Sequence, residues 1–236
     1  MVSPLIVALD VNNLKEEEKL VKILSSYVSV FKVGLELFSS CGVDAIKVIK
    51  EFNKEVFLDL KLFDIPNTVS KTIEVIESWD IYAVSLHILG GKEMVEKASS
   101  LFTRPYLWGV TILSSIDRDG FKQIGFQNDL DKVNLDLALS GKKWGIDGII
   151  ISGEAVSLLR NKLGDDFTIV TPGIRLKREE KNDQKRVLTP KEAIKKGANY
   201  IVMGRPIINS DNPKETAAKV LNEVLSVKAN GYSKDS

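Results

Sequence analysis

Asp59 and Lys61 stand two residues apart in the run Val56-Phe57-Leu58-Asp59-Leu60-Lys61. On an extended strand that spacing puts both side chains on one face and Leu58 and Leu60 on the other. The leucines suit packing against helices, which turns the two charges inward. An isolated charge is strongly disfavoured there, whereas a paired one persists. Asp10 and Lys32, near the ends of two earlier apolar runs, add one charge of each sign. An interior plug needs only one ion pair, and here at least four charges are available. Carboxylates beside Lys61 would keep it protonated. A positioned ammonium can stabilise a developing carbanion and then donate its proton.

A second group of residues suits an anion. Ile201-Val202-Met203 runs into Gly204-Arg205-Pro206. Glycine lets a backbone approach a ligand closely, and arginine offers a planar fork for phosphate oxygens. Between Arg175 and Arg186 nine of twelve residues are charged, so this stretch reads as a solvated loop or as a lid over an anionic ligand. Gln184, inside it, could close over the same phosphate. His87, next to Gly90-Gly91, reads as a satisfied structural histidine more readily than as a catalytic one. Cys41 reads as a small residue near a turn.

Short apolar runs alternate with amphipathic stretches along the whole chain. Strand candidates lie at residues 5–10, 28–33, 56–61, 83–87, 107–113, 148–152, 168–171 and 200–203. They are rich in Val, Ile and Leu, as strands buried on both faces should be. Helical spacing marks residues 14–27, 43–52, 68–79, 92–101, 131–144, 154–163, 190–196 and 213–227. Ser70, Thr189 before Pro190 and Asn212 before Pro213 suit helix starts, and Gly145, Gly164 and Gly197 suit helix stops. Two connections are long, 115–130 and 175–188. Eight strands alternating with eight helices, at about 30 residues per unit, predict an α/β fold of the (β/α)8 barrel type. An open doubly wound sheet is the rival, but no G-x-G-x-x-G or G-x-x-x-x-G-K-[ST] occurs. A single domain over 1–236 is expected, with a frayed polar end at 228–236. In a barrel the strand ends converge, so Asp10, Lys32, Asp59, Lys61, Asp64, His87, Ser114, Arg175 and Gly204-Arg205 would form one cluster.

Composition narrows the choice. Thirty-three Lys and Arg against 32 Asp and Glu leave a net charge of +1, unlike a bulk nucleic-acid binder. One His excludes a two-His metal site within a chain, and one Cys excludes an internal disulfide and suits a reducing cytoplasm. No apolar run approaches the ~20 residues of a membrane span, and no basic stretch marks a signal peptide at the N-terminus.

At these residues the chain resembles the orotidine 5′-phosphate decarboxylase family. Asp59-Leu60-Lys61-Leu62-Phe63-Asp64-Ile65-Pro66-Asn67-Thr68 matches its D-x-K-x-x-D-I-P-N-T signature. Val7-Ala8-Leu9-Asp10, Lys32-Val33-Gly34, Thr171-Pro172-Gly173-Ile174-Arg175, Asp183-Gln184-Lys185-Arg186 and Val202-Met203-Gly204-Arg205-Pro206 follow the family's order. Phe63 stands where His is frequent, and Leu113-Ser114-Ser115 where Leu-Thr-Ser is frequent. The resemblance implies decarboxylation of orotidine 5′-monophosphate to UMP, the last step of de novo pyrimidine synthesis, without cofactor or metal. It implies that Lys61 protonates C6 and that Asp59 lies beside the departing carboxylate. Lys32 and Asp10 would hold the ribose hydroxyls and the charge array. Asp64 and Thr68 would reach into the neighbouring subunit's site, requiring a homodimer, and Ser114 would contact the pyrimidine. Gln184, Gly204 and Arg205 would bind the phosphate, with Arg175 on the same rim. Related metal-dependent barrels share an Asp-x-Lys-x-x-Asp core, but Ile65-Pro66-Asn67-Thr68 speaks against them. A non-catalytic phosphometabolite-binding barrel is the remaining reading.

Overall fold

The computed structural model describes residues 3–176 and 188–231. Eight parallel strands close into a barrel in chain order: β1 (Leu5–Ala8), β2 (Val30–Gly34), β3 (Glu55–Leu62), β4 (Ala83–His87), β5 (Tyr106–Val110), β6 (Gly148–Ile150), β7 (Thr168–Thr171) and β8 (Tyr200–Met203). Closure is made by β1 and β8, with Leu5 opposite Ile201 and Val7 opposite Met203. The helices are α1 (Leu14–Leu24), α2 (Leu35–Cys41), α3 (Asp44–Glu51), α4 (Pro66–Glu77), α5 (Gly91–Ser99), α6 (Arg118–Gln123), α7 (Leu130–Lys143), α8 (Val156–Leu163), α9 (Pro190–Lys195), α10 (Arg205–Ile208) and α11 (Pro213–Gly231). The expected (β/α)8 barrel is thus the fold observed. Among the described residues no helix is long and apolar enough to cross a membrane.

The strand pattern sorts the core into two layers. Val7, Val33, Leu58, Ile149 and Ile169 point outward and pack on Val21, Ile46, Ile73, Val95 and Leu159 of the helices. Burying each such side chain is worth ~1.5–3 kcal/mol. Ile6, Val30, Phe57, Trp108, Val170 and Val202 point inward. There Phe57 and Trp108 lie 4.6 Å apart, Trp108 and Tyr200 5.6 Å apart, and the Tyr82 and Tyr200 hydroxyls 2.8 Å apart.

Local signals account for several boundaries. The Asn13 side chain accepts the Glu16 N–H at the start of α1, and Thr189 and Glu192 form a reciprocal capping box at α9. Gly164 and Gly197 adopt φ of 79° and 103° after α8 and α9, conformations that favour glycine. The start expected at Ser70 is wrong. α4 begins at Pro66, whose missing N–H costs nothing in the first turn, and Ser70 is buried inside the helix. The long connection after β5 contains α6, and the final helix reaches Gly231, into the end expected to fray; residues 232–236 lie outside the described ones.

One buried group makes stability depend on pH. Glu17 of α1 is fully buried, and both its carboxyl oxygens lack a partner among the described residues. Burial pushes its carboxyl from the ordinary 4.5 up to about 8. As pH rises through that window the unfolded chain releases this proton while the folded chain retains it. Folding stability should therefore fall between these values and level off above about 8. Glu17→Gln is expected to flatten that fall, so its advantage over wild type grows with pH. Thermal melts at pH 5.5 and pH 8 check it, and parallel slopes for both proteins would show that Glu17 does not titrate there.

Candidate active site

Four charges meet at the carboxyl ends of β1, β2 and β3. Asp59 Oδ2 accepts from Lys61 Nζ at 2.9 Å and lies 3.8 Å from Lys32 Nζ, which in turn is 3.4 Å from Asp10 Oδ1. The order in space is Asp10, Lys32, Asp59, Lys61, with the signs alternating and no net charge. Lys32 and Asp59 are each 13% exposed, and the flanking Lys61 and Asp10 are 31% and 41% exposed. The array is therefore buried at its centre and open at its ends. Alternation along β3 underlies it: Phe57 joins the inner layer, while Leu60 and Leu62 pack outward with Leu58.

Two glycines make room for the array. A Cβ at Gly34 would lie 2.7 Å from Lys32 Nζ, and one at Gly204 would lie 2.7 Å from Asp10 Oδ2. Gly204, expected near phosphate, thus also backs onto the first carboxylate of the array.

Sequence reasoning missed Ser85. It is fully buried on β4; its Oγ accepts the Lys61 N–H at 2.8 Å and its O–H donates to Asp59 Oδ1 at 2.8 Å. The available signal was a lone hydroxyl at an inward position of the apolar strand Ala83-Val84-Ser85-Leu86-His87. His87, two residues on, is half-buried with its ring 5.7 Å from that of Phe63. The expected satisfied histidine is met only in part: the ring is hydrogen-bonded to the Thr111 backbone, while Nδ1 is buried without a hydrogen-bond partner among the described residues. Burial, together with nearby Lys61, holds the imidazole below its usual pKa, against opposing effects of the Thr111 backbone and Asp59.

The remaining expected residues line the rim without joining the array in a single chain. Asp64 is exposed, and its Oδ1 accepts the Ile65 N–H at 2.6 Å. Among the described residues it forms no ion pair. Thr68 is exposed in the first turn of α4. Ser114 is exposed on the turn after β5. That turn leads into a small core of Ile112, Phe121 and Leu130, with Phe121 stacked on Phe126 at 4.4 Å and Arg118 paired to Asp129 and Asp131. Arg205 is exposed at the start of α10 and forms no ion pair among the described residues. Arg175 is half-buried, and its N–H donates to the Leu188 carbonyl at 3.1 Å, which closes the base of the charge-rich segment. Gln184 lies outside the described residues.

A protonated amine held against a buried carboxylate can deliver a proton to carbon where an anionic group departs. Residues 3–220 match the model of the "Orotidine 5'-phosphate decarboxylase / HUMPS family". Proteins named orotidine 5′-phosphate decarboxylase from Dictyoglomus turgidum and Dictyoglomus thermophilum are each 41% identical over 231 residues, covering 94% of this chain and 95% of theirs. The crystal structure of orotidine 5′-phosphate decarboxylase from Lactobacillus acidophilus superposes with a TM-score of 0.80 at 36% identity, covering 94% of this chain and 99% of that one.

Proposed function

The chain belongs to the orotidine 5′-phosphate decarboxylase / HUMPS family, and from that premise we propose that it converts orotidine 5′-monophosphate to UMP in pyrimidine biosynthesis. The observation that carries the reading is the Asp59 carboxylate held against the Lys61 ammonium at the open end of the barrel. In the proposed step the bond between C6 and the carboxylate carbon breaks, and CO₂ departs without the bonding electron pair. That pair takes a proton from Lys61 Nζ to form the C6–H bond, and solvent then returns a proton to the amine. No cofactor or metal is called for. Lys32 and Asp10 hold the ribose hydroxyls, Ser114 meets the pyrimidine, and Gln184, Gly204 and Arg205 take the phosphate, with Arg175 beside them.

Magnitudes show why one lysine does not suffice. Enzymes lower such barriers by up to ~23 kcal/mol. A single ammonium at ~4 Å supplies about 4 kcal/mol at an effective dielectric near 20. Binding of phosphate and ribose, away from the reacting carbon, must therefore contribute by fixing the geometry. Arg205→Ala is accordingly expected to raise KM for the nucleotide ~10-fold or more through loss of a charge-assisted pair, with a smaller effect on kcat. Steady-state kinetics check this, and unchanged KM and kcat would remove Arg205 from the site.

The active unit in this reading is a homodimer, with Asp64 and Thr68 serving the neighbouring subunit. Leu35 at the start of α2, Phe63 and Ile65 between β3 and α4, and Leu89 in the helical turn after β4 are 57%, 60%, 66% and 37% exposed, and apolar side chains of this size gathered on one rim favour cover by a partner. The half-buried thiol of Cys41 suits a reducing cytoplasm. The deciding experiment is an ultraviolet assay of the purified protein with orotidine 5′-monophosphate, with and without EDTA. Turnover indifferent to chelation is expected. No turnover would overturn the reading, and activity lost to EDTA and restored by Mg²⁺ would assign a metal-dependent reaction instead.

A further inference from the structure

We propose that Ser85 is a positioning residue for the decarboxylation proposed above, setting Asp59 and Lys61 as one unit. Leu58 is opposite Val84 and Leu62 is opposite Leu86, so β3 carries two more residues than β4 between these pairs. Lys61 sits in that excess with φ of 51°, a left-handed conformation that a lysine rarely adopts. The ladder is interrupted at this point, and the Lys61 amide needs an acceptor that the β4 backbone does not supply.

The Ser85 hydroxyl fills that role. One of its lone pairs receives the Lys61 N–H, and its single hydrogen goes to Asp59 Oδ1. With Oδ1 occupied, Oδ2 is the oxygen left to face Lys61 Nζ at 2.9 Å and Lys32 Nζ at 3.8 Å. The hydroxyl therefore fixes the carboxylate plane and the peptide that carries Lys61 against one neighbouring strand. At this buried position, loss of the hydroxyl would leave an amide and a carboxylate oxygen each short of a partner. The carboxylate could then rotate, and the ammonium would lose its fixed height above the barrel.

The test is Ser85→Ala in the full-length protein, with Ser85→Thr restoring a hydroxyl. Three readouts are taken: steady-state kinetics, thermal stability, and hydrogen exchange of the Lys61 amide followed by NMR without substrate. For Ser85→Ala, kcat should fall roughly 10²-fold, as expected for a misplaced reacting group, with KM nearly unchanged. Exchange of the Lys61 amide should speed up, because its acceptor is gone. Ser85→Thr should recover most of kcat and return the exchange toward wild type. Unchanged kcat together with unchanged Lys61 exchange in Ser85→Ala would overturn the proposal. So would a loss of stability and kcat that a folded Ser85→Thr repairs in neither respect, which would make Ser85 a gap filler. If Ser85→Thr does not fold, the Lys61 exchange in Ser85→Ala decides alone. Wild-type protein inert toward orotidine 5′-monophosphate would defeat the proposed function, while the substrate-free exchange would still decide Ser85.

Discussion

Lys61→Ala is expected to lower kcat by at least ~10³-fold, the scale of losing a positioned proton donor and a preorganised charge together, while the barrel stays folded. The side chain is 31% exposed and lies at the open end of the array, so truncation leaves no sealed cavity. Asp59 keeps Lys32 and the Ser85 hydroxyl as partners. The remaining charges sum to one excess negative, which repels an incoming carboxylate, so substrate binding should weaken as well. Ultraviolet kinetics, with circular dichroism to confirm the fold, check this expectation. Near-wild-type kcat in a folded variant would remove Lys61 from the chemistry.

Mixing two inactive variants should produce the opposite result, activity from nothing. Asp59→Asn and Asp64→Asn homodimers are each expected to be nearly silent if every site draws Asp59 from one subunit and Asp64 from the other. Random subunit exchange then yields mixed dimers in which one site carries both lesions and the other carries none. In a two-fold dimer this returns about a quarter of the wild-type sites. The geometry of the single chain motivates the experiment. Asp64 is exposed, outside the array, and flanked by the exposed side chains of Phe63 and Ile65. Native mass spectrometry would confirm exchange and kinetics would read recovery. No recovery after confirmed exchange would mean that Asp64 serves its own subunit.

The barrel was legible because its strands are short runs of Val, Ile and Leu with sharp polar ends, and β4, β7 and β8 lie at the residues expected. What escaped was local. α2, α6 and α10 span seven, six and four residues, too short for a periodic signal to stand above its surroundings. Pro66, directly after Ile65, carries the mark of a helix start, whereas Ser70, which suits a cap by residue type, falls inside the helix. In the site, alternation along β3 was enough to foresee Asp59 and Lys61 on one face. It rested on an ideal pleat, and neither the two-residue excess on β3 nor the φ of Lys61 could be read from residue types. Ser85 escaped for the same reason, since its role depends on that irregularity. Asp64 shares the signature with Asp59 and Lys61 but not their array, because the turn between Leu62 and Pro66 carries it to the surface.

Phe57, Trp108, Tyr82 and Tyr200 stopper the lumen beneath the charges. The barrel is therefore a cup and not a pipe. What forms on its lip cannot leave through the packed lumen, so in the proposed reaction carbon dioxide would depart on the face by which the nucleotide enters.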